Sequence, residues 1–217
     1  MKEQYYTPES IQTLSRQWLN AYARPKKLES QPFDISRAAL LVLDMQDYFL
    51  NPASHAYIPS ATAILPGINR VISFFRTNKR PIIATKHVNS KKDAGMMAAW
   101  WSEIMLENHQ LIGLHPDLDL KEDEIIHKTQ YDAFHQSELS ALLDASQIDQ
   151  LVIGGVMTHL CCETTARAAF VQGYEVYFLV DGTATYNQNF HEATLQNLAH
   201  GFAVLTSIED LVEGFKV

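Results

Sequence analysis

Cysteine is almost missing from this chain. Of 217 residues only two are cysteine, Cys161 and Cys162, and they are neighbours. Adjacent Cα atoms sit about 3.8 Å apart across a trans peptide, below the usual disulfide range, so no intrachain bridge is expected between them. A chain without a disulfide framework suits a reducing cytoplasm. Basic clusters are missing too: no run of Lys and Arg exceeds two residues, and 17 basic against 25 acidic residues leave a net charge of −8. A nucleic-acid or anionic-membrane partner would need a basic face, so neither is expected. No apolar run approaches the ~18 residues of a membrane span. The opening MKEQYYTPES lacks an apolar signal core, so no secretory signal is expected. There is no internal repeat and no low-complexity segment. What is present is a 47% hydrophobic composition at a length that suits one α/β domain with a full core. We read a single domain over residues 1–217, with 1–37 as an N-terminal helical extension.

In that extension Ile11, Leu14, Trp18 and Leu19 recur at helical spacing after Pro8-Glu9-Ser10, and Arg24-Pro25-Lys26-Lys27 ends the helix. It is expected to pack on the outside of the domain or to reach a partner subunit. Ala38 to Leu43 is a continuous apolar run, typical of a central parallel strand covered on both faces. It stops at Asp44, where open α/β sheets place their ligands. Asp44 is therefore read as functional, and Asp47 as a turn or capping acid. Residues 51–60 read as loop, Pro66 to Arg80 as the crossover helix, and Pro81 to Thr85 as the second strand, which ends near Lys86 and His87. Residues 88–122 are amphipathic and rich in Met and Trp, which suits a covering helix, a subunit contact or a wall over a pocket. Asp123 to His127 reads as a third strand with Lys128 at its carboxyl end. A fifth strand runs from Glu175 to Val180, and a sixth from Phe202 to Leu205. Strands alternating with helices in units of ~30–45 residues predict a mainly parallel sheet in a three-layer α/β/α sandwich of Rossmann type.

The fourth strand carries the most chemistry. Leu151-Val152-Ile153 is a buried-strand run, Gly154 and Gly155 punctuate it, and Cys161 follows at the start of an alanine-rich helix. A thiol at a helix N-terminus has its thiolate favoured by the helix dipole, so Cys161 is the candidate nucleophile. Cys162 points about 100° away from it on a helix and reads as a packed residue. Three strand ends thus offer a carboxylate, an ammonium and a thiol: Asp44, Lys128 and Cys161.

The chain resembles the isochorismatase-like cysteine hydrolase family. The resemblance rests on Leu41 to Gln46, on Lys128 with Tyr131-Asp132-Ala133-Phe134, and on Gly155 to Thr158 with Cys161 and Thr164 to Arg167. It implies a six-stranded sheet with the first strand central and a triad of Asp44 as base, Lys128 as orienting cation and Cys161 as nucleophile. It further implies a cis peptide before Met157 and an oxyanion hole from the backbone N–H groups of Met157 and Cys161. Gln46, Phe49, His87, Trp100, Tyr131 and Thr158 are the residues expected around a small-molecule substrate. The implied chemistry, hydrolysis of a C–N bond in a small amide, ureido or carbamoyl compound, needs no cofactor and no metal. A homo-oligomer is the family expectation. Nicotinamidases of the group place an Asp and two His after the second strand to hold a metal. Here that stretch reads Thr85-Lys86-His87-Val88-Asn89-Ser90, which points away from nicotinamide. Isochorismatases, which cleave a vinyl ether, carry Gly where Cys161 stands. His159, Cys162 and Phe134 to Leu139 resemble theirs, so vinyl ether hydrolysis is the alternative. A degenerate binding or assembly module is the third.

Overall fold

The computed structural model describes residues 2–24 and 32–214. Its centre is a sheet of six parallel strands: β1 (Ala38–Leu43), β2 (Ile82–His87), β3 (Ile125–Lys128), β4 (Gln150–Val156), β5 (Glu175–Ala184) and β6 (Val204–Thr206). They lie in the order β3-β2-β1-β4-β5-β6. Every residue of β1 and of β4 is buried. Successive side chains on a strand point to opposite faces, so both faces of these strands are covered, as their unbroken apolar runs require.

The helices in chain order are α1 (Ile11–Tyr22), α2 (Asp47–Leu50), α3 (Ala61–Thr77), α4 (Met97–Trp100), α5 (Leu139–Ala145), α6 (Glu163–Val171), α7 (Gln188–Gly201) and α8 (Ile208–Glu213). Asp47 is the first residue of α2, an acid in its first turn; the N-cap is Gln46, with no side-chain cap hydrogen bond. The last two helices begin with side-chain caps. Asn187 accepts from the Phe190 N–H, and Ser207 accepts from the Asp210 N–H, satisfying donors that a helix start leaves free.

Strand order reverses between β1 and β4: β2 and β3 follow on one side, β5 and β6 on the other. The loops leaving β1 and β4 diverge there, opening the crevice in which open α/β sheets hold ligands. Gly155 keeps β4 tight against β1 at this point. Its φ is 115°, and a Cβ there would meet the Leu43 carbonyl oxygen at 2.1 Å, so only glycine fits.

Four details differ from the sequence reading. Helix α3 starts at Ala61, ahead of Pro66, because the apolar spacing Ala61, Ile64, Leu65, Ile68 already runs through the turn before the proline. Strand β5 continues past Asp181-Gly182 to Ala184. From Ile153 to Gly155 β4 advances two residues while β5 advances five, Phe178 to Thr183, so β5 carries an irregular bulge. The N-terminal extension is more than an outer layer: Tyr5 and Tyr6 enter the core beside Trp18 and Leu19. Finally, α1 ends at Tyr22, two residues before Arg24, and Pro25 to Lys27 of the basic stretch lie outside the described residues. Among the described residues no helix is long and apolar enough to cross a membrane.

The β5 bulge holds a partly buried acid. Asp181 Oδ1 accepts from the Ile208 N–H at 2.9 Å, and burial pushes its pKa up to about 6. The unfolded chain releases this proton near pH 4. Between pH 4 and 6 the folded protein therefore binds more protons than the unfolded one, and stability falls as pH rises through that window. Asp181→Asn keeps an oxygen for the Ile208 N–H and removes the charge. It is expected to gain up to about 3 kcal/mol at pH 7 and nothing at pH 4. Urea unfolding at the two pH values checks this; equal gains at both would refute it.

Candidate active site

Asp44 follows directly on β1 in the left-handed backbone region, φ 51°, which Asp tolerates better than most residues. Its N–H donates to the Thr85 carbonyl and hydroxyl oxygens. The Thr85 hydroxyl in turn donates to Asp44 Oδ1 at 2.6 Å. The carboxylate is thus pinned from β2 on both its main chain and its side chain. Oδ2 lies 2.8 Å from Lys128 Nζ, and both side chains have zero exposure.

Lys128 ends β3, two strands away from β1. Its ammonium donates to the Gln130 carbonyl at 2.7 Å, to His87 Nδ1 at 3.3 Å and to Cys161 Sγ at 3.4 Å. Burial works against this charge, while Asp44 and then Cys161 favour it. The balance holds the lysine pKa above its ordinary value. A lone buried charge would be far too costly, whereas a paired and hydrogen-bonded one persists.

Cys161 sits in a π-helical turn, Thr158–Cys162, between β4 and α6. The peptide Val156–Met157 is cis. Burial first, and then the Asp44 charge, push the Cys161 thiol up to about 12 despite Lys128. The resting group is a thiol beside a carboxylate and an ammonium. Cys162 is fully buried in the core, as its packing role requires.

His87 lines the cavity and is also locally bonded. Its Nε2 faces Asn89 Oδ1 at 2.9 Å. Burial, aided by Lys128, lowers its pKa to about 4, so at neutral pH it is uncharged. Asp44, His87 and Cys161 each offer a ligand atom, all within 4.8 Å of one another. The Lys128 ammonium already contacts all three. A dication at that point would face a buried positive charge, so the set does not fit a metal.

A narrow cavity opens over Cys161. Its lining includes Tyr48, Phe49, His87, Met97, Trp101, Met105, Tyr131, Met157, Leu160 and Tyr186, with His55, Asn89 and Glu103 as further polar residues. Phe49, His87, Tyr131 and Met157 therefore stand where the sequence reading put them, around the thiol. Three residues do not. The Trp100 side chain points outward, 76% exposed, and its neighbour Trp101 takes the place, donating from Nε1 to the Tyr131 hydroxyl at 2.6 Å. Trp100 ends α4 and Trp101 is its C-cap with extended backbone, so the two side chains leave the chain in different directions. Gln46 is wholly buried and braces the backbone. Its amide donates to the carbonyls of His87 and Ile112 and accepts from the His87 N–H. Thr158 turns away toward His191, 3.2 Å off. The sequence reading missed Tyr48, Trp101 and Tyr186. Tyr48 adjoins Phe49 in a run already flagged, but nothing in the local pattern around Tyr186 marks it. The 88–122 segment forms one short helix and turns, and it supplies the cavity wall through Met97, Trp101 and Met105. A wider groove between α1, α3 and α8 holds none of the three reactive groups.

The sheet order and the switch-point crevice define a doubly wound α/β protein that carries a buried acid, ammonium and thiol at its ligand edge. Residues 38–210 match the family model described as isochorismatase domain, and the chain belongs to the isochorismatase family. It is 37% identical over 179 residues to "Nicotinamidase 3" of Arabidopsis thaliana, covering 80% of this chain and 86% of that protein. It is 28% identical over 206 residues to "Enterobactin synthase component B" of Escherichia coli K12, covering 89% of this chain and 71% of that one. A crystal structure of a cysteine hydrolase from Pseudomonas syringae pv. phaseolicola superposes with a TM-score of 0.81 at 23% identity. That match covers 88% of this chain and 95% of the other, and supports the shared fold.

Proposed function

We propose that the protein hydrolyses the C–N bond of a small, neutral, flat carboxamide through Cys161. One observation carries this reading: the thiol, backed by Asp44 and Lys128, opens into a cavity lined mostly by aromatic and apolar side chains, with His55, His87, Asn89 and Glu103 among them and no Lys or Arg. Asp44 takes the thiol proton as sulfur attacks the carbonyl carbon, and Lys128 holds the developing negative charge. The C–S bond forms, the carbonyl π pair moves to oxygen, and the N–H groups of Met157 and Cys161 receive that oxyanion. Protonated Asp44 then gives its proton to the leaving nitrogen, the C–N bond breaks, and ammonia departs from a thioester. Asp44 next removes a proton from water, which attacks the thioester and releases the acid and the thiol.

A substrate with its own carboxylate would leave that charge desolvated and unmatched in such a cavity. This argues against carboxylated carbamoyl compounds and against an anionic vinyl ether. The identity to a relative named nicotinamidase returns nicotinamide to consideration, against the sequence expectation. Ammonia release from nicotinamide and benzamide, set beside N-carbamoylsarcosine, tests the reading. Expected is a kcat/KM for a neutral aromatic amide at least about 100-fold above the carboxylated compound, since an unpaired buried charge costs several kcal/mol. The reverse order would overturn it.

A further inference from the structure

The N-terminal arm, residues 2–6, precedes the 38–210 stretch that matches the family model, yet it is laced into the walls of the cavity. Lys2 Nζ donates to the carbonyl of His55 and lies over the Tyr186 ring, 4.5 Å from its centroid. The Glu3 N–H donates to the Tyr186 carbonyl at 2.8 Å. Both His55 and Tyr186 line the cavity. The arm is held from below by Ser60, whose hydroxyl accepts from the N–H groups of Tyr5 and Tyr6, each at 3.0 Å.

Tyr5 reaches furthest. Its hydroxyl accepts from the Thr185 N–H at 2.9 Å and lies 3.0 Å from His191 Nδ1. With the phenol's acceptor side used by Thr185, its proton is free to point at Nδ1. The same nitrogen is 3.2 Å from the Thr158 hydroxyl. Thr158 is the first residue of the turn that carries Cys161, and follows Met157. Tyr5, Thr158, Thr185 and His191 are all buried. The His191 ring sits among Tyr5, Tyr6 and Trp18, its centroid 4.9 Å from that of Trp18. Burial drives its pKa down to about 3, so the relay is uncharged through the neutral range, with Nδ1 shared between the Tyr5 and Thr158 hydroxyls.

We propose that Tyr5 is a positioning residue for the hydrolytic site: through His191 it fixes Thr158, and so the backbone donors of Met157 and Cys161 that receive the oxyanion. The inference rests on the amidase reading above. It assigns to the arm a part in catalysis that no residue of the matched stretch supplies.

The test uses the full chain and needs no knowledge of the natural substrate. Benzaldehyde adds to the Cys161 thiol to give a thiohemiacetal: the S–C bond forms, and the carbonyl pair becomes an alkoxide that takes up the thiol proton. The adduct's oxygen occupies the oxyanion position, and binding is read as protection of Cys161 from iodoacetamide. Alkylation by iodoacetamide uses the sulfur but no oxyanion donor, so it reports on the nucleophile alone. Tyr5→Phe retains the ring packing and loses only the hydroxyl; Thr158→Val cuts the other end of the relay. Both are expected to weaken benzaldehyde protection about tenfold, a fraction of the loss seen when an oxyanion donor is removed outright, while iodoacetamide rates stay within about twofold. Unchanged protection in both variants overturns the proposal. So do protection and alkylation falling together, which marks a general loosening, and a wild type that benzaldehyde does not protect. The amidase reading fails separately, on ammonia release from the amide panel, so the two failures are distinguishable.

Discussion

Cys161→Ala is expected to lower ammonia release by about 10⁴-fold or more, the scale on which removing a nucleophile from a cooperating set acts. The side chain is small and buried beside Lys128, so the variant folds, and any loss reads on chemistry. The same substitution separates the two chemistries open to this family. If C–N cleavage proceeds through a thioester, no other side chain at the floor of the cavity replaces the sulfur. If a vinyl ether were cleaved by proton transfer from Asp44, Cys161→Ala would leave most of the activity and Asp44→Asn would remove it. Ammonia release and vinyl ether hydrolysis by the two variants, assayed side by side, decide the matter. Amide turnover persisting in Cys161→Ala refutes the nucleophile assignment. An inert protein whose Cys161 resists alkylation would point instead to a binding module.

Lys128→Met is expected to act on stability as much as on rate. The ammonium is fully covered and is the counter-charge of Asp44. Removing it strands a buried carboxylate, a loss of about 3–5 kcal/mol. Activity should fall at least about 10³-fold, because the negative charge that develops on Asp44 and sulfur loses its partner. The double variant Asp44→Asn with Lys128→Met should regain most of the stability and none of the activity. Urea unfolding of the two singles and the double gives the coupling energy directly. Stabilities that simply add would mean that the two groups do not depend on each other, contrary to the geometry.

These groups were legible in the sequence for a physical reason. A parallel strand buried on both faces is an unbroken apolar run, so its end is visible, and so is whatever polar residue stands there. Asp44 after β1 and Cys161 after β4 stand out in this way, and both fall at the one place where strand order reverses. Lys128 is the last residue of a short strand only partly covered; its apolar flank and the aromatic residues after it single it out less sharply. What stayed hidden depends on contacts between distant segments. Whether Trp100 or Trp101 faces inward is set by where a short helix ends in a turn-rich segment. The protonation of Cys161 follows from complete burial next to Asp44, which no local pattern reveals. Tyr5 and His191 meet across 186 positions of chain, and nothing in the spacing of either announces the other. The extra length of β5 is likewise a matter of its bulge against β4, since Asp181-Gly182 reads as a turn from the sequence alone.

The complete enclosure of Asp44 and Lys128 has a consequence for the medium the protein can work in. Dissolved ions weaken attractions between charges they can surround; at 1 M salt their reach shortens to about 3 Å. Neither member of this couple touches solvent, so brine has no route to it. A neutral substrate also feels no pull or push from the −8 net charge of the surrounding surface. For the neutral amide proposed above, capture and turnover are expected to be decoupled from ionic strength, because this paired acid and ammonium are covered on every side.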